Sequence, residues 1–370
     1  MDIARLKSSF ARVAMHGDEV PLHFYSDLFL KHPETRPMFP VSMQAQRAHL
    51  VDALVSIVSS VDNLDNLTVF LRDLGRGHRK FGTLAEHYGA VGESLLATFA
   101  HFCGDAWDAE LEADWRDAYE LIASVMTTAA VDDEQHHPAF WTGTVVAAER
   151  RAFDVTILTV RTQPQLEYLP GQSVAIESPT RPRLWRYYSI ANAPRPDGSV
   201  EFHVRLIDGG AVSMALTTGL TTGAGLKLGP PVGVLRLDTA SGRDVLMVAR
   251  STGLAPLKAM LEQAAGLRQP PRVHLFVGAR DADGLYDLPS LEKMAAEQPW
   301  LTVVPTVSAG RFAGHTGSLT DVVTRYGTWS DHDAYIAGPT EIVQDTASRL
   351  AAAGMPAGQI HVEDFGWSEP

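Results

Sequence analysis

The stretch Arg186-Tyr187-Tyr188-Ser189, entering a strand shortly after the turn Pro170-Gly171-Gln172, carries the strongest chemical signal in the chain. An arginine fork grips a pyrophosphate bidentately, and hydroxyls at alternating strand positions face one ligand. The surroundings are strand-like. Phe153-Asp154-Val155-Thr156-Ile157-Leu158-Thr159-Val160 and Val200-Glu201-Phe202-His203-Val204-Arg205-Leu206 are β-branched or alternating, with Gly and Pro between the runs, as at Gly229-Pro230-Pro231. These features predict a small antiparallel β-barrel over residues 138–240.

Downstream, strands alternate with helices. Asp244–Ala249 reads as a buried strand leading through Gly253 into a helix, Ala255–Leu267. The strand Arg272–Val277, the helix Pro289–Glu297, the strand Leu301–Val307, and then Ala334–Ala337, Glu341–Ala353 and Ile360–Phe365 continue the pattern. Such alternation predicts an α/β domain with a parallel sheet over residues 241–370. Ser251-Thr252-Gly253-Leu254-Ala255-Pro256 falls between a buried strand and a helix, where a glycine lets a dinucleotide pyrophosphate approach the backbone at a helix N-terminus.

Upstream, the period changes. Leu50, Leu54, Ile57/Val58 and Val61, like Leu111, Trp115, Ala118/Tyr119 and Ile122, recur at helical spacing, and nothing in this part alternates like a strand. An all-α domain is expected over residues 1–133. A polar linker is expected at Asp132-Asp133-Glu134-Gln135-His136-His137-Pro138, and His136 and His137 are read as part of that solvated hinge.

At 370 residues the chain is too long for one core. A net charge of -13 argues against nucleic acid or an anionic membrane as the main partner. Residues 1–135 hold 11 Lys+Arg and 21 Asp+Glu, a balance of -10 that reads as solvated surface. With Cys103 the sole cysteine, an intramolecular disulfide or cysteine-rich metal cluster is excluded, and its apolar neighbours predict a buried structural thiol. The N-terminus lacks a signal-peptide core and no apolar run is long enough to span a bilayer, so a soluble, cytoplasmic, monomeric protein is expected.

Arg-x-Tyr-Ser after Pro-Gly-Gln resembles the FAD site of the ferredoxin reductase superfamily, and Gly209-Gly210-Ala211-Val212-Ser213 resembles its second phosphate-binding turn. The resemblance implies that Arg186 holds the FAD phosphates, with Tyr187, Gly210, Val212 and Ser213 in the same site. Tyr188 then meets the ribityl chain or ring, and Ser189 the reactive flavin nitrogen. By the same resemblance Thr252, Gly253 and Pro256 take NADH or NADPH, Arg280 of Gly278-Ala279-Arg280 lies by the adenosine ribose, and Gly338 of Ala337-Gly338-Pro339 lies near the nicotinamide. Phe365 stacks on the flavin with Glu363 beside it. Two departures stand out: Ser251 occupies a position where the family has glycine, and Ala337 one where it has cysteine.

The helical part resembles the globin of flavohaemoglobins. His23-Phe24-Tyr25, His32-Pro33-Glu34 and Met38-Phe39 look like the passage from B helix to CD corner, and Gln46-Arg47-Ala48-His49-Leu50 like the start of the E helix. His78 follows Gln46 by 32 residues, enough for the chain to cross a haem. Tyr88-Gly89-Ala90-Val91-Gly92-Glu93 and Trp115-Arg116-Asp117-Ala118-Tyr119 continue the likeness. It implies that His78 binds the iron of haem b, that Phe39 packs on the porphyrin, that Tyr25 and Gln46 bond to bound oxygen, and that Leu50 limits distal space, while His49 faces away. The family's proximal glutamate is replaced near Ala130, leaving Tyr88 as partial substitute, and its pre-histidine lysine is Gly77. The implied activity is nitric oxide dioxygenation, from nitric oxide and oxygen to nitrate, with electrons passed from NAD(P)H through FAD to haem. Rival readings are a flavohaem reductase or oxidase acting on another substrate, and a haem-based oxygen or nitric oxide sensor.

Overall fold

The computed structural model describes residues 1–366, so the last four residues of the expected third domain lie outside it. The chain divides into two compact units, residues 1–140 with 182–184, and residues 141–181 with those from Trp185 onward.

The first unit is helical: α1 (Ile3–Ala14), α2 (Glu19–Lys31), α3 (Gln44–Ser60), α4 (Leu64–His78), α5 (Ala85–Cys103) and α6 (Ala109–Glu134). Local chemistry sets their starts. Asp2, Asn63 and Asp108 cap α1, α4 and α6 by accepting the backbone N–H three residues on. Asp2 N–H in turn donates to Asp114, whose carboxylate also takes Arg5, which ties α1 to α6. The core gathers Leu6, Val13, Phe24, Tyr25, Leu28, Phe99 and Trp115. Cys103 is buried there, as expected, and burial pushes its thiol up.

One expectation fails at the end of this unit. The polar run from Asp132 is no linker at its start, because α6 continues through Glu134. Asp133 forms a buried ion pair with Arg79, and Arg79 also donates to the His137 carbonyl at 2.9 Å. A polar composition therefore belongs to a helix whose carboxylate has a partner too far away in sequence to be seen.

The second unit begins with β1 (Trp141–Arg150), β2 (Val155–Gln163), β3 (Ser173–Glu177), β4 (Trp185–Ser189), β5 (Ser199–Arg205), α7 (Ala211–Thr218) and β6 (Gly225–Leu228). The strands form an antiparallel sheet in the order β4-β3-β6-β1-β2-β5. A further bridge between Ile190 and Phe202 joins the chain after β4 to β5, bringing the two edges of the sheet together as a barrel requires. Phe153, expected in β2, instead sits in the preceding turn, 86% exposed.

There follow β7 (Asp244–Arg250), α8 (Leu254–Ala265), β8 (Val273–Ala279), α9 (Leu288–Glu297), β9 (Leu301–Val307), β10 (His315–Thr316), α10 (Leu319–Tyr326), β11 (His332–Gly338), α11 (Thr340–Ala352) and β12 (Ile360–Asp364). The sheet is wholly parallel, in the order β10-β9-β8-β7-β11-β12. Its two faces pack on separate cores, one with α8 and α9, the other with α10 and α11. The first of these also takes Val155, Ile157, Leu235 and Leu237, so the barrel and the parallel sheet share apolar packing. The strand order reverses between β7 and β11. In such sheets, ligands bind outside the carboxyl ends of the strands at that point.

Candidate functional site

In the helical unit Tyr25 is buried on α2, its ring 5.5 Å from that of Phe39 and near Phe29. Its hydroxyl donates to the Gln46 carbonyl at 3.5 Å, and burial pushes the phenol up to about 12. Gln46 and Leu50 are half-buried on α3, whereas His49 between them is exposed, so the helix turns that histidine outward. None of the 17 residues of α3 is buried, although Leu50, Leu54 and Val58 lie against the core. From Gln46 beside Tyr25, the helix runs about 16 Å to Ile57, which packs, as Leu74 and Tyr88 do, against the cluster of Leu67, Leu71 and Met126.

Leu74 holds His78. The imidazole Nδ1 donates to the Leu74 carbonyl at 2.7 Å. A carbonyl only accepts, so Nδ1 carries the proton and Nε2 keeps its lone pair. Burial lowers the imidazole pKa, against the opposing pull of the Leu74 bond. Sequence reasoning missed three neighbours of this residue. Arg79 pairs with Asp133, and Lys80 is buried, its ammonium lowered to about 8 by burial. Gly75 fits because α4 crosses α6 so closely that a Cβ would run into the Met126 carbonyl. A Cβ on Gly77, by contrast, meets nothing. Tyr88 is half-buried, and Tyr119 donates to its carbonyl at 2.6 Å. Ala130 is half-buried on α6.

In the second unit, the unbroken β3–β4 register puts Arg186 and Tyr188 on one face of the strand and Tyr187 and Ser189 on the other. Arg186 and Tyr187 are exposed, and Arg186 donates to the Trp185 carbonyl at 2.9 Å. Tyr188 is half-buried, its phenol raised by burial. Ser189 and Ser173, opposite each other in the register, both donate to Glu363 Oε1, at 2.7 and 2.8 Å. Among the described residues Glu363 Oε2 is buried without a hydrogen-bond partner, and burial raises the carboxyl, partly offset by the two serines. Gly210 precedes α7, Val212 and Ser213 are buried, and the Ser213 hydroxyl closes its own turn onto Gly210 and Ile207.

At the switch point, Ser251–Gly253 follows β7 as a single 3₁₀ turn before α8, whose first turn contains Pro256. Thr252 is buried. Gly253 has a reason unforeseen in the sequence: a Cβ there would strike the backbone of Ala337 and Gly338. The two turns at the carboxyl ends of β7 and β11 thus touch directly. Gly338 accepts from Phe365 N–H at 3.1 Å, bringing the chain after β12 to the same place, and Phe365 is half-buried. Arg280 is exposed just beyond β8. Ser251 has φ +54°, in the left-handed region that glycine favours.

Three family descriptions match in succession: Globin over residues 22–126, Oxidoreductase FAD-binding domain over 142–236, and Oxidoreductase NAD-binding domain over 247–348. The flavohemoprotein of Rhizobium meliloti (strain 1021) is 28% identical over 392 residues, covering 98% of this chain and 96% of that protein. The chain thus joins a globin region to FAD-binding and NAD-binding oxidoreductase regions and is similar to flavohemoproteins along nearly its whole length. The solved flavohemoglobin of Malassezia yamatoensis, with bound FAD and heme, shares the fold at TM-score 0.81 and 18% identity, with 98% of each chain covered. The flavohem-like FAD/NAD-binding domain of the nitric oxide dioxygenase from Vibrio cholerae O1 biovar El Tor matches at TM-score 0.53 and 21% identity, over 61% of this chain and 98% of that one. The protein is an oxidoreductase whose cofactors are haem, FAD and a nicotinamide dinucleotide.

The residues present fit those groups. His78 presents a neutral nitrogen donor with its tautomer fixed, the form in which imidazole ligates iron. The apolar face of α3 is only half covered by protein. The orphaned Glu363 oxygen beside Ser189 suits a polar ring edge. Among the described residues, no helix is long and apolar enough to cross a membrane.

Proposed function

We propose that the protein is a nitric oxide dioxygenase, converting nitric oxide and oxygen to nitrate with electrons passed from NADH or NADPH through FAD to haem. One observation carries the reading: a single helical unit combines an imidazole tied through Nδ1 to Leu74 with a buried phenol, Tyr25, beside Gln46 and Phe39. When bound, haem b supplies the iron at which the two gases combine, and FAD divides the nicotinamide's electron pair into single electrons.

The chain's own groups do the rest. His78 would offer Nε2 to the iron, and Tyr88 and Leu74, packed against one apolar cluster, steady the segment that orients it. With its phenol raised to about 12, Tyr25 stays protonated at neutral pH and donates to an anionic ligand, with Gln46 as second donor. Phe39 and Leu50 restrict the space left beside them. In the reductase, Arg186, Tyr187, Tyr188, Gly210, Val212 and Ser213 hold FAD. Thr252, Gly253, Pro256 and Gly338 receive the dinucleotide, and Phe365 covers the flavin ring. Glu363, its carboxyl raised by burial, presents Oε2 beside Ser189. Residues 1–133, 138–240 and 241–370 serve as the three modules of a cytoplasmic monomer. Support comes from the flavohemoprotein relative matched from end to end, and from the Vibrio domain named for this activity.

A second reading, a flavohaem reductase acting on another substrate, draws on Ala130 and Gly77. The first removes a carboxylate from the proximal network. Space at Gly77 would admit the lysine, so its loss is not steric. The deciding assay is aerobic nitric oxide consumption by haem- and FAD-loaded protein, with NADH and with NADPH, monitoring nitrate. Rapid haem-dependent nitrate formation is expected. Persistence of nitric oxide while flavin is reduced would transfer the activity to another substrate.

A further inference from the structure

The polar face of β5 reaches into the parallel-sheet half of the same unit at three successive positions. Glu201 pairs with Lys258 of α8 at 2.8 Å, and Lys258 pairs with buried Asp287 at 2.9 Å. His203, fully enclosed, meets the Tyr286 hydroxyl at 2.7 Å through Nδ1 and Glu201 at 3.1 Å through Nε2. Arg205 donates through Nε to Asp154 at 2.8 Å and through a terminal nitrogen to the Ser251 hydroxyl at 3.1 Å. Residues 201, 203 and 205 alternate, so one face of one strand supplies all three contacts.

The third contact ends on a strained residue. Ser251, at φ +54°, is one of two non-glycine residues with positive φ among those described. A side chain in that region crowds its own backbone, and such a conformation persists only where the surroundings hold it. The Arg205 guanidinium, itself fixed by Asp154, grips the serine by its hydroxyl. The next two residues, Thr252 and Gly253, lie at the switch point, where Gly253 abuts Ala337 and Gly338.

We propose that Arg205 is a positioning residue for nicotinamide dinucleotide binding: by holding the Ser251 hydroxyl, it keeps a serine in a glycine backbone conformation and fixes the turn that receives the pyrophosphate. The inference rests on reading Thr252 and Gly253 as the dinucleotide turn, and it is independent of what the haem does. Serine at this position then depends on its tether, whereas glycine would need none.

The test uses the full-length, haem- and FAD-loaded protein without nitric oxide. NAD⁺ and NADP⁺ affinities are measured by calorimetry, flavin reduction by stopped flow, and hydrogen exchange of residues 250–256 with and without the tighter-binding dinucleotide. In the parent protein the dinucleotide should protect this segment. Arg205→Met is expected to weaken affinity about tenfold and to slow flavin reduction, with FAD content and flavin potential unchanged. Ser251→Ala cuts the same tether from the other side and should behave alike. The decisive variant is the double one, Arg205→Met with Ser251→Gly, which should recover affinity to within about twofold of the parent. Full affinity in both single variants overturns the proposal. A double variant as weak as Arg205→Met overturns it too, since Arg205 would then act on the dinucleotide itself. Absence of protection at 250–256 in the parent sinks both the inference and the assignment of the turn, and leaves the dioxygenase reading untouched.

Discussion

The helical unit and the reductase unit hold their chemistry by opposite means. In the first, the groups that matter are nearly strangers: Tyr25 reaches Gln46 by one long bond and His78 is held by Leu74. The helix between them, α3, buries no residue. In the second, Glu201, His203, Tyr286, Lys258 and Asp287 form a buried mesh bonded to itself across two sheets. A large apolar cofactor can complete a loosely packed unit, whereas a unit that must align two cofactors has to be stiff before either arrives.

Removing the axial donor breaks this contrast most sharply. His78→Ala should abolish haem absorbance and nitric oxide turnover while flavin reduction by the nicotinamide proceeds at the parent rate; equal loss in both would mean that the reductase is not self-sufficient. Lys258→Met comes next. It removes the buried cation that Glu201 and Asp287 share, leaving them Arg195 and Arg151 at 3.5 Å, and should destabilise the reductase by about 3 kcal/mol, read as earlier flavin release in a denaturant titration with the haem spectrum intact. Gly75→Val asks whether the helical unit has any rigid seam of its own. Overpacking against the Met126 carbonyl should cost about 2–3 kcal/mol in haem-loaded unfolding, and a neutral outcome would show that α4 can slide on α6.

The smallest effect concerns pH. His23 bonds to Thr98 at 3.1 Å and stacks on His101 at 4.4 Å. Burial, and then the charge of His101, lower its pKa below the ordinary 6.5. The unfolded chain therefore takes up the proton first. This contribution to stability is complete above pH 6.5 and is lost as pH falls from there toward the lowered value. His23→Phe should flatten that acid limb in thermal melts of the helical unit; an unchanged slope would assign it to other groups.

Much of this was legible from spacing. The change of period near Trp141, the alternation of strands and helices, and the histidine far enough beyond Gln46 all depend on local pattern, and sequence displays local pattern well. Tertiary partners stayed hidden. Polar Asp133 reads as linker until Arg79 is placed beside it. Gly253 reads as room for a ligand, while its Cβ space is taken by Ala337. The alternation of β5 marks a polar face, but only the fold shows that this face is buried, with Lys258 and Tyr286 beside it. Ser251 reads as a lost glycine, although its backbone lies in the left-handed region that glycine favours.

The pairing of Arg79 with Asp133 and with the His137 carbonyl bears on how the molecule is to be dissected. A cut at Asp132, where the composition changes, would release a helical fragment lacking both acceptors. Its histidine-bearing helix would end in an arginine with nothing to grip. A fragment meant to carry haem alone has to run past His137, and the difference between the two cuts would show in how long each retains its pigment.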